Sequence, residues 1–337
     1  MRALIYSFLE KKFKIESQPI PSVKNGELLI KIINSALCGT DLHIISGVLK
    51  SKVYNNKKIT LGHAWSGVVV KKGAGVKKFS IGDLVFGNDF FFCGKCKKCN
   101  DEKENLCKNF KVFGMGAKGT HSDYAVFPER ITKKIPRGIN EETACFMADL
   151  VATAIHAVRK HVPQKNDCVG IYGGGPLGIV IGVILKRIFG VKNIYLFEPS
   201  RYRLKLAKKI LNPKIFPKNK FASKFFDVIY EVSGSQKALK STFTFLKKDG
   251  TVILVGVYDK DAPIPVTKII TREIKILGSL AYTFKDLKRA MEITKQIQSD
   301  IKKLITHKMT LENGQKAYDL IKKRKAGLII FKINKQK

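Results

Sequence analysis

Four closely spaced cysteines constrain the fold of this chain more than any other feature of its sequence. Two residues separate Cys93 from Cys96 and Cys96 from Cys99, and seven residues lie between Cys99 and Cys107. Gly94 permits a tight turn that would direct the sulfurs at one centre. Four such thiolates can close a tetrahedral zinc site that has no open position, which is typical of a structural site. The sequence therefore predicts a metal-bound lobe at about residues 88–110.

Two other uses of these cysteines have to be weighed against zinc. A bacterial ferredoxin has three residues before its fourth cysteine and a proline after it, whereas seven residues precede Cys107 and Lys108 follows it. A pair of disulfides is disfavoured because nothing marks the chain as secreted. Zinc is the favoured occupant.

The composition indicates an ordinary globular protein. A chain of 337 residues with 45% hydrophobic residues is long enough for two domains with substantial cores. The first ten residues contain no apolar stretch long enough for a signal peptide, so we expect a cytoplasmic protein. An uncharged run at 168–185 holds several glycines and Pro176, which predicts a strand, a turn and a helix instead of a membrane span.

The formal net charge of +36 raises the question of a nucleic-acid partner. The excess is nearly all lysine and is spread from end to end, without the arginine clusters and interleaved aromatics of a nucleic-acid groove. We therefore expect no specific nucleic-acid partner and no membrane partner, with nonspecific polyanion binding as a side effect.

The chain changes its pattern after residue 141. Before that point, residues 27–33 and 67–70 favour strands between turns, so the first third is β-rich. A helical stretch over 141–160 then opens an alternation of strands and helices that continues to residue 257. Such alternation predicts an α/β fold with a doubly wound parallel sheet.

A glycine-rich turn follows the predicted strand at 168–172. The run Gly173-Gly-Gly175-Pro176-Leu177-Gly178 matches the dinucleotide fingerprint in its strand-turn-helix context. The first glycine makes the turn, Gly175 lets the backbone approach a pyrophosphate, and Gly178 lets the helix pack closely on the strand. The helix N-terminus offers unpaired N–H groups to the phosphates.

An acidic residue ends the next predicted strand, where it can accept hydrogen bonds from a ribose. This residue is Glu198, and its carboxylate would repel a 2′-phosphate, so NAD is favoured over NADP. The alternative for Glu198 is an ordinary helix cap. Arg203, which we include in the predicted cofactor site, and Arg201 could soften the exclusion of a phosphate.

Six motifs together carry a family resemblance. They are Cys38-Gly-Thr40-Asp41-Leu-His43, Gly62-His63-Ala-Trp-Ser-Gly67, the four-cysteine lobe, Ala148-Asp149, Gly173 to Gly178, and Thr251 to Gly256. On these motifs the chain resembles the zinc-dependent medium-chain dehydrogenases of the alcohol, sorbitol and threonine dehydrogenase superfamily over nearly its whole length. The resemblance implies a GroES-like catalytic domain at 1–152, a Rossmann NAD-binding domain at 153–285 and a C-terminal segment at 286–337 that returns to the first domain.

The resemblance also implies a second, catalytic zinc. Cys38, His63 and Asp149 match its three protein ligands and leave a fourth position for water or substrate oxygen. Asp41 would hold His63 in the required tautomer. Thr40 would start a proton relay that passes through the cofactor ribose to His43 and solvent.

The family implies a zinc- and NAD-dependent oxidation of a secondary alcohol, polyol, sugar or amino alcohol to the ketone, or its reverse. It also implies a homodimer or homotetramer, joined at the edge of the Rossmann sheet near residues 274–282. The chain departs from the family pattern at two places. Ala64 stands where a glutamate usually follows the ligand histidine. The segment 212–226 is short, which predicts that one strand-helix unit of the Rossmann domain is trimmed. Ala64 and the charge motivate an alternative, a noncatalytic protein on the same fold that binds polyanions or nucleic acid.

Overall fold

The computed structural model describes residues 1–49, 58–215 and 224–334, and the chain divides into two compact units. The first unit comprises Met1–Asp149 and Ile305–Lys337, and the second comprises Leu150–Leu304. The first is β-rich and the second is built on a parallel sheet. This is the α/β class and the pair of architectures that the sequence predicts.

The N-terminal part of the first unit is a series of strands with short helices between them. Its elements are β1 (Arg2–Ser7), β2 (Lys12–Ser17), β3 (Glu27–Leu37), α1 (Gly39–Ile45), β4 (Lys58–Thr60), β5 (Ala64–Lys72), β6 (Leu84–Gly87), β7 (Phe90–Phe91), α2 (Lys97–Asn100), β8 (Lys111–Val112), β9 (Tyr124–Pro128), β10 (Thr132–Lys134) and α3 (Glu141–Ala144). Three-residue 3₁₀ turns lie at Glu104–Leu106 and Glu129–Ile131.

The second unit alternates helices and strands. Its elements are α4 (Thr153–Lys160), β11 (Cys168–Tyr172), α5 (Pro176–Arg187), β12 (Asn193–Phe197), α6 (Arg201–Ile210), β13 (Lys214–Ile215), β14 (Phe226–Glu231), α7 (Gln236–Phe245), β15 (Leu246–Leu254), α8 (Val266–Thr271), β16 (Lys275–Gly278) and α9 (Phe284–Leu304). The chain then returns to the first unit through β17 (Ile305–Met309), a 3₁₀ turn at Leu311–Asn313, α10 (Gly314–Lys322) and β18 (Leu328–Lys332).

The first unit is organised around β3, the longest strand. Its main sheet has the order β10-β6-β5-β3-β18-β17, and β9 also pairs with β3. Strand β3 is almost entirely buried, and Trp65 on β5 stacks on Phe127 with ring centroids 3.9 Å apart. The returning strand β18 pairs antiparallel with the end of β3, next to Cys38. The end of β3 is thus paired with β5 on one side and with the returning strand β18 on the other, which fixes the position of Cys38.

The second unit is a six-stranded parallel sheet with the order β13-β12-β11-β14-β15-β16. Strand β11 lies between β12 and β14 and is buried along most of its length, as expected for a strand covered by helices on both faces. The sequence analysis predicts that the strand-helix unit at 212–226 is trimmed. Strand β13, at the start of this segment, is only two residues long. Residues 216–223 of the segment lie outside the described residues.

The long helix α9 closes the second unit. Its apolar face buries Leu287, Ile293, Ile297 and Ile301, and it packs against α4, α5 and α6. The sequence-based division ends the Rossmann domain at residue 285, whereas the compact unit continues to Leu304. The helices in the described ranges include none that is both long and apolar enough to cross a membrane.

Candidate active site

Three side chains that are far apart in the sequence meet in the first unit. Cys38 follows β3 and occupies the N-cap position of α1, His63 immediately precedes β5, and Asp149 lies at the end of the N-terminal part of the unit. One sulfur, one ring nitrogen and one carboxylate oxygen lie within 4.8 Å of one another. The structure therefore brings the three predicted ligands of a catalytic zinc to one point.

The backbone around Asp149 is not the regular helix that the sequence pattern predicts. The helical stretch over 141–160 is broken into α3, a π-helical turn at Met147–Ala152, and α4. The predicted helical stretch is present, but it is not one continuous α-helix. A π turn inserts extra backbone into the helix, which changes the direction of its side chains, and such turns occur often at functional sites.

His63 has a different neighbour on each ring nitrogen. Its Nε2 lies 3.8 Å from Asp149 Oδ2, and its Nδ1 lies 3.5 Å from Asp41 Oδ1. Asp41 also accepts hydrogen bonds from the backbone N–H of Cys38 at 3.0 Å and of Gly62 at 3.2 Å. Asp41 thus ties the segments that carry two of the three candidate ligands, and it faces the nitrogen of His63 that points away from Asp149.

The electrostatics of this cluster favour a positive charge at its centre. Burial lowers the pKa of His63, but Asp41 and its other acidic neighbours outweigh burial and hold that pKa well above its ordinary value. Burial raises the pKa of the Cys38 thiol and of the Asp149 carboxyl. A thiol and a carboxyl in such surroundings ionise readily only when a cation lies next to them.

The donor set fits zinc. Thiolate, imidazole and carboxylate are the ligand types that catalytic zinc sites combine, and three protein ligands leave one position open. The contact between Asp41 and the second ring nitrogen supplies the outer carboxylate that commonly orients a zinc-bound histidine. Ala64, where the family usually has glutamate, is buried on β5 and adds no charge.

The two residues of the predicted proton relay lie on the short helix α1. Thr40 is partly buried, and its Oγ1 lies 3.7 Å from Cys38 Sγ. His43 is also partly exposed, one turn further along the same helix. Thr40 therefore lies beside the candidate metal ligands.

The four cysteines of the lobe form a second cluster. The Sγ–Sγ distances are 3.5 Å for Cys93–Cys107 and Cys96–Cys99, 3.8 Å for Cys96–Cys107 and 3.9 Å for Cys93–Cys99. A zinc–sulfur distance of about 2.3 Å in a regular tetrahedron places sulfurs roughly 3.8 Å apart. The observed distances match that geometry and are far longer than a disulfide bond of about 2.05 Å.

Backbone N–H groups of the lobe support negative charge on its sulfurs. The N–H groups of Cys93 and Asn109 point at Cys107 Sγ, at 3.3 and 3.4 Å. The N–H of Cys99 is the main cause that lowers the pKa of Cys96 to about 6, whereas burial raises the pKa of Cys99 to about 12. Four sulfurs that share such a space fit a divalent cation better than four free thiols.

The glycine turn of the second unit depends on the absence of side chains at two positions. Gly173 has a φ of +110°, which disfavours other residues. A Cβ at Gly178 would lie 1.9 Å from the carbonyl oxygen of Gly173, so the helix α5 could not pack this closely on the turn. Gly175, Pro176 and Leu177 then lead into α5 with Pro176 as its first residue.

Glu198 stands directly beside this turn. Its two carboxylate oxygens accept hydrogen bonds from the N–H groups of Gly174 and Ser200, each at 2.8 Å. The guanidinium of Arg203 lies near Gly175, since its Nη1 would be 3.6 Å from a Cβ at that glycine. The acidic and basic side chains of the predicted cofactor site therefore both lie next to the glycine turn.

Glu231 is a residue that the sequence analysis missed. It ends β14 at the carboxyl edge of the sheet and is fully buried. Its carboxylate accepts hydrogen bonds from Ser233 N at 2.9 Å, Gly234 N at 3.2 Å and Tyr258 Oη at 2.5 Å. Ligands of doubly wound sheets bind at this edge, so the available signal was an acidic residue at the end of an otherwise apolar strand.

Two family models match this chain. Residues 24–137 match the alcohol dehydrogenase GroES-like domain, and residues 176–296 match the zinc-binding dehydrogenase family. An L-threonine 3-dehydrogenase of Escherichia coli K12 is 28% identical over 340 aligned residues, which cover 98% of this chain and 99% of that protein.

Solved structures share the whole fold. An alcohol dehydrogenase of Escherichia coli CFT073 in complex with NADH has a TM-score of 0.88 at 24% identity, with 98% of this chain and 99% of that chain covered. The 2R,3R-butanediol dehydrogenase of Bacillus subtilis has a TM-score of 0.86 at 24% identity, with 99% of each chain covered.

Proposed function

We infer that this chain belongs to the zinc-dependent medium-chain dehydrogenase/reductase superfamily. We propose that it oxidises a secondary alcohol of the polyol or amino alcohol type to a ketone with NAD, and that it catalyses the reverse reduction. The family establishes an oxidoreductase that uses zinc and a nicotinamide cofactor. The observation that carries the finer proposal is the meeting of Cys38, His63 and Asp149, with Asp41 behind His63.

Each side chain of this cluster has a role in the proposal. Cys38, His63 and Asp149 would hold the catalytic zinc, and Asp41 would fix the ring of His63. Bound zinc supplies a Lewis acid that makes an alcohol hydroxyl more acidic. Thr40 would relay the proton of that hydroxyl, taking it up while releasing its own hydroxyl proton toward His43, which is partly exposed and would exchange it with solvent. A bound nicotinamide cofactor would supply the acceptor for the hydride of the alcohol carbon.

The substrate class follows from the acidic ligand and the small residue at position 40. Asp149 and Thr40 resemble the polyol and threonine branches of the family more than the ethanol branch. The names of two similar proteins, an L-threonine 3-dehydrogenase and a 2R,3R-butanediol dehydrogenase, point to substrates with a second polar group beside the alcohol. Offering L-threonine, 2,3-butanediol, sorbitol and ethanol with NAD tests this, because the first three should form NADH faster than ethanol. The reverse order would contradict the proposed class.

Glu198 should determine the preference for NAD. Glu198→Gln keeps the size of the side chain and removes the charge that would oppose a 2′-phosphate, with the loss of one of the two hydrogen bonds that the carboxylate accepts from Gly174 and Ser200. The ratio of kcat/KM for NAD to that for NADP should fall by about tenfold, equivalent to about 1.4 kcal/mol. The control Glu273→Gln changes an exposed acid elsewhere in the unit and should leave the ratio unchanged. An unchanged ratio in Glu198→Gln would contradict the role.

The lobe should hold a second zinc that is independent of the first. Cys99→Ser removes one of its four thiolates, so zinc content measured by elemental analysis should fall by about one ion per chain. The control Cys168→Ser, which changes a cysteine outside both clusters, should keep the full content. Full zinc retention in Cys99→Ser would show that this thiolate is not a ligand.

We also propose a homodimer or homotetramer joined through the edge strand β16. This strand ends the parallel sheet, and exposed apolar side chains lie in the segments around it, including Ile264, Val266, Ile270 and Leu280. Sheet edges of this kind pair readily with a second copy. Light scattering on Ile270→Glu should report a smaller particle than the parent protein, and an unchanged mass would contradict this interface.

A further inference from the structure

A cavity of about 400 Å³ lies among three helices of the second unit, α4, α5 and α9. Its walls are largely apolar and include Ile155, Ile184, Ile188, Phe189 and Ile293. The cavity is open to solvent on one side, where its lining side chains are exposed. Its volume lies within the range of small-molecule sites, which are mostly apolar and carry a few polar groups.

Cationic side chains surround this apolar cavity. Arg159, Lys285, Lys288 and Arg289 line it together with a single acid, Glu292. Glu292 pairs with Arg289 at 2.9 Å, and the buried Asp286 pairs with Arg159. The two arginines therefore have acidic partners within the unit.

The two lysines are differently placed. Lys285 and Lys288 are exposed on the first turns of α9, and in the described parts of the chain neither has a carboxylate within ion-pair distance. Both flank the apolar walls and are accessible from solvent. An apolar cavity with lysines at its edge that form no ion pair within the described residues complements a molecule with an apolar body and an anionic head.

We propose that this cavity binds an amphiphile with a single anionic head, a carboxylate or a phosphate monoester, whose chain packs on the isoleucines while its head contacts Lys285 and Lys288. The site lies entirely within the second unit and uses none of the residues assigned to zinc or to the cofactor. It goes beyond the proposed dehydrogenase activity and stands without it.

Calorimetric titration of the zinc-loaded full chain with decanoate tests the site. We expect saturable binding of one decanoate per chain. Decanamide, which keeps the chain but lacks the charge, and acetate, which keeps the charge but lacks the chain, should each bind at least about tenfold more weakly. Titration with decyl phosphate then identifies the anionic head. Tighter binding of decanoate would indicate a carboxylate, and tighter binding of decyl phosphate would indicate a phosphate monoester.

Variants place the bound molecule. The double change Lys285→Glu and Lys288→Glu should weaken decanoate binding at least about tenfold. The matched control Lys295→Glu and Lys302→Glu makes the same change of charge on the same helix, away from the cavity, and should leave the affinity unchanged. Ile188→Trp, which fills the cavity from a partly exposed position, should block binding.

Three results would overturn the proposal. They are the absence of saturable binding by decanoate and decyl phosphate, equal affinity for decanamide, and an affinity that neither the double lysine variant nor Ile188→Trp changes. The last result would place the amphiphile elsewhere, for example at the zinc cluster of the first unit.

Discussion

Cys38→Ser is expected to lower kcat/KM for the best alcohol substrate by more than about 100-fold. Loss of an outer partner of a metal ligand already costs about 10- to 100-fold, and here a ligand itself is lost. A serine hydroxyl is nearly the same size as the thiol but is a poor ligand for zinc at neutral pH. Steady-state kinetics and zinc content on the same sample provide the measurement, and zinc should fall by about one ion per chain.

The matched control for this variant is Cys168→Ser. Cys168 begins β11 in the second unit and belongs to neither cysteine-containing cluster, so its replacement should preserve both activity and zinc. A thermal melt separates loss of the metal from loss of the fold. A Cys38→Ser protein that keeps at least half of its activity would exclude this thiolate as a catalytic ligand.

Asp286→Asn is expected to lower the free energy of unfolding by about 3 kcal/mol. The carboxylate is buried and accepts hydrogen bonds from His156 Nδ1 at 2.7 Å and from Thr283 N and Oγ1 at 2.9 and 2.8 Å, and it also pairs with Arg159. Breaking a buried ion pair typically costs about 3–5 kcal/mol, and the partial exposure of Arg159 places the expected loss at the lower end. Urea unfolding of parent and variant measures the difference.

The pH dependence of this difference has a defined sign. Burial raises the pKa of Asp286, but the hydrogen bonds from His156 and Thr283 outweigh burial and lower it to about 2. The pKa in the unfolded chain is about 3.9, so the stabilisation is complete above that pH and is lost as pH falls from about 4 to about 2. The difference in free energy of unfolding between the parent protein and Asp286→Asn should therefore become smaller as pH falls from about 4 to about 2.

An exposed acid on the same helix supplies the control. Glu292 pairs with Arg289 at the surface, so Glu292→Gln should change the free energy of unfolding by less than about 1 kcal/mol. If Asp286→Asn is no more destabilised than Glu292→Gln, the buried contacts of Asp286 do not anchor α9 to α4.

Local patterns predicted the second unit well. The strand at Cys168–Tyr172, the glycine turn and the helix that begins at Pro176 follow from apolar runs and from the spacing of the glycines, of which Gly173 and Gly178 have no room or no conformation for a side chain. The same patterns did not predict the π turn at Met147–Ala152, because periodicity cannot distinguish it from a continuous helix. The position of Asp149 within this π turn could be recognised only from the backbone of the structure.

The candidate site was less accessible to sequence reasoning. Cys38, His63 and Asp149 are brought together by strands that pair across the first unit, so their spacing alone carries no signal, and the family resemblance had to supply it. The lobe cysteines are close in sequence and did carry their own signal. Glu231 did carry a signal, an acid at the end of an apolar strand, which the sequence analysis did not use. Asp286 lies in a charged segment, and only its partners in the structure distinguish it from the exposed charges around it.

The most direct test of the account combines two quantities on one sample of purified protein, zinc per chain by elemental analysis and NADH formation when alcohols, polyols and amino alcohols are offered with NAD. We predict two zinc ions per chain and NADH formation with at least one substrate. One zinc ion per chain and no NADH, unchanged after zinc is added, would show that only the cysteine lobe binds metal and would contradict a catalytic zinc at Cys38, His63 and Asp149.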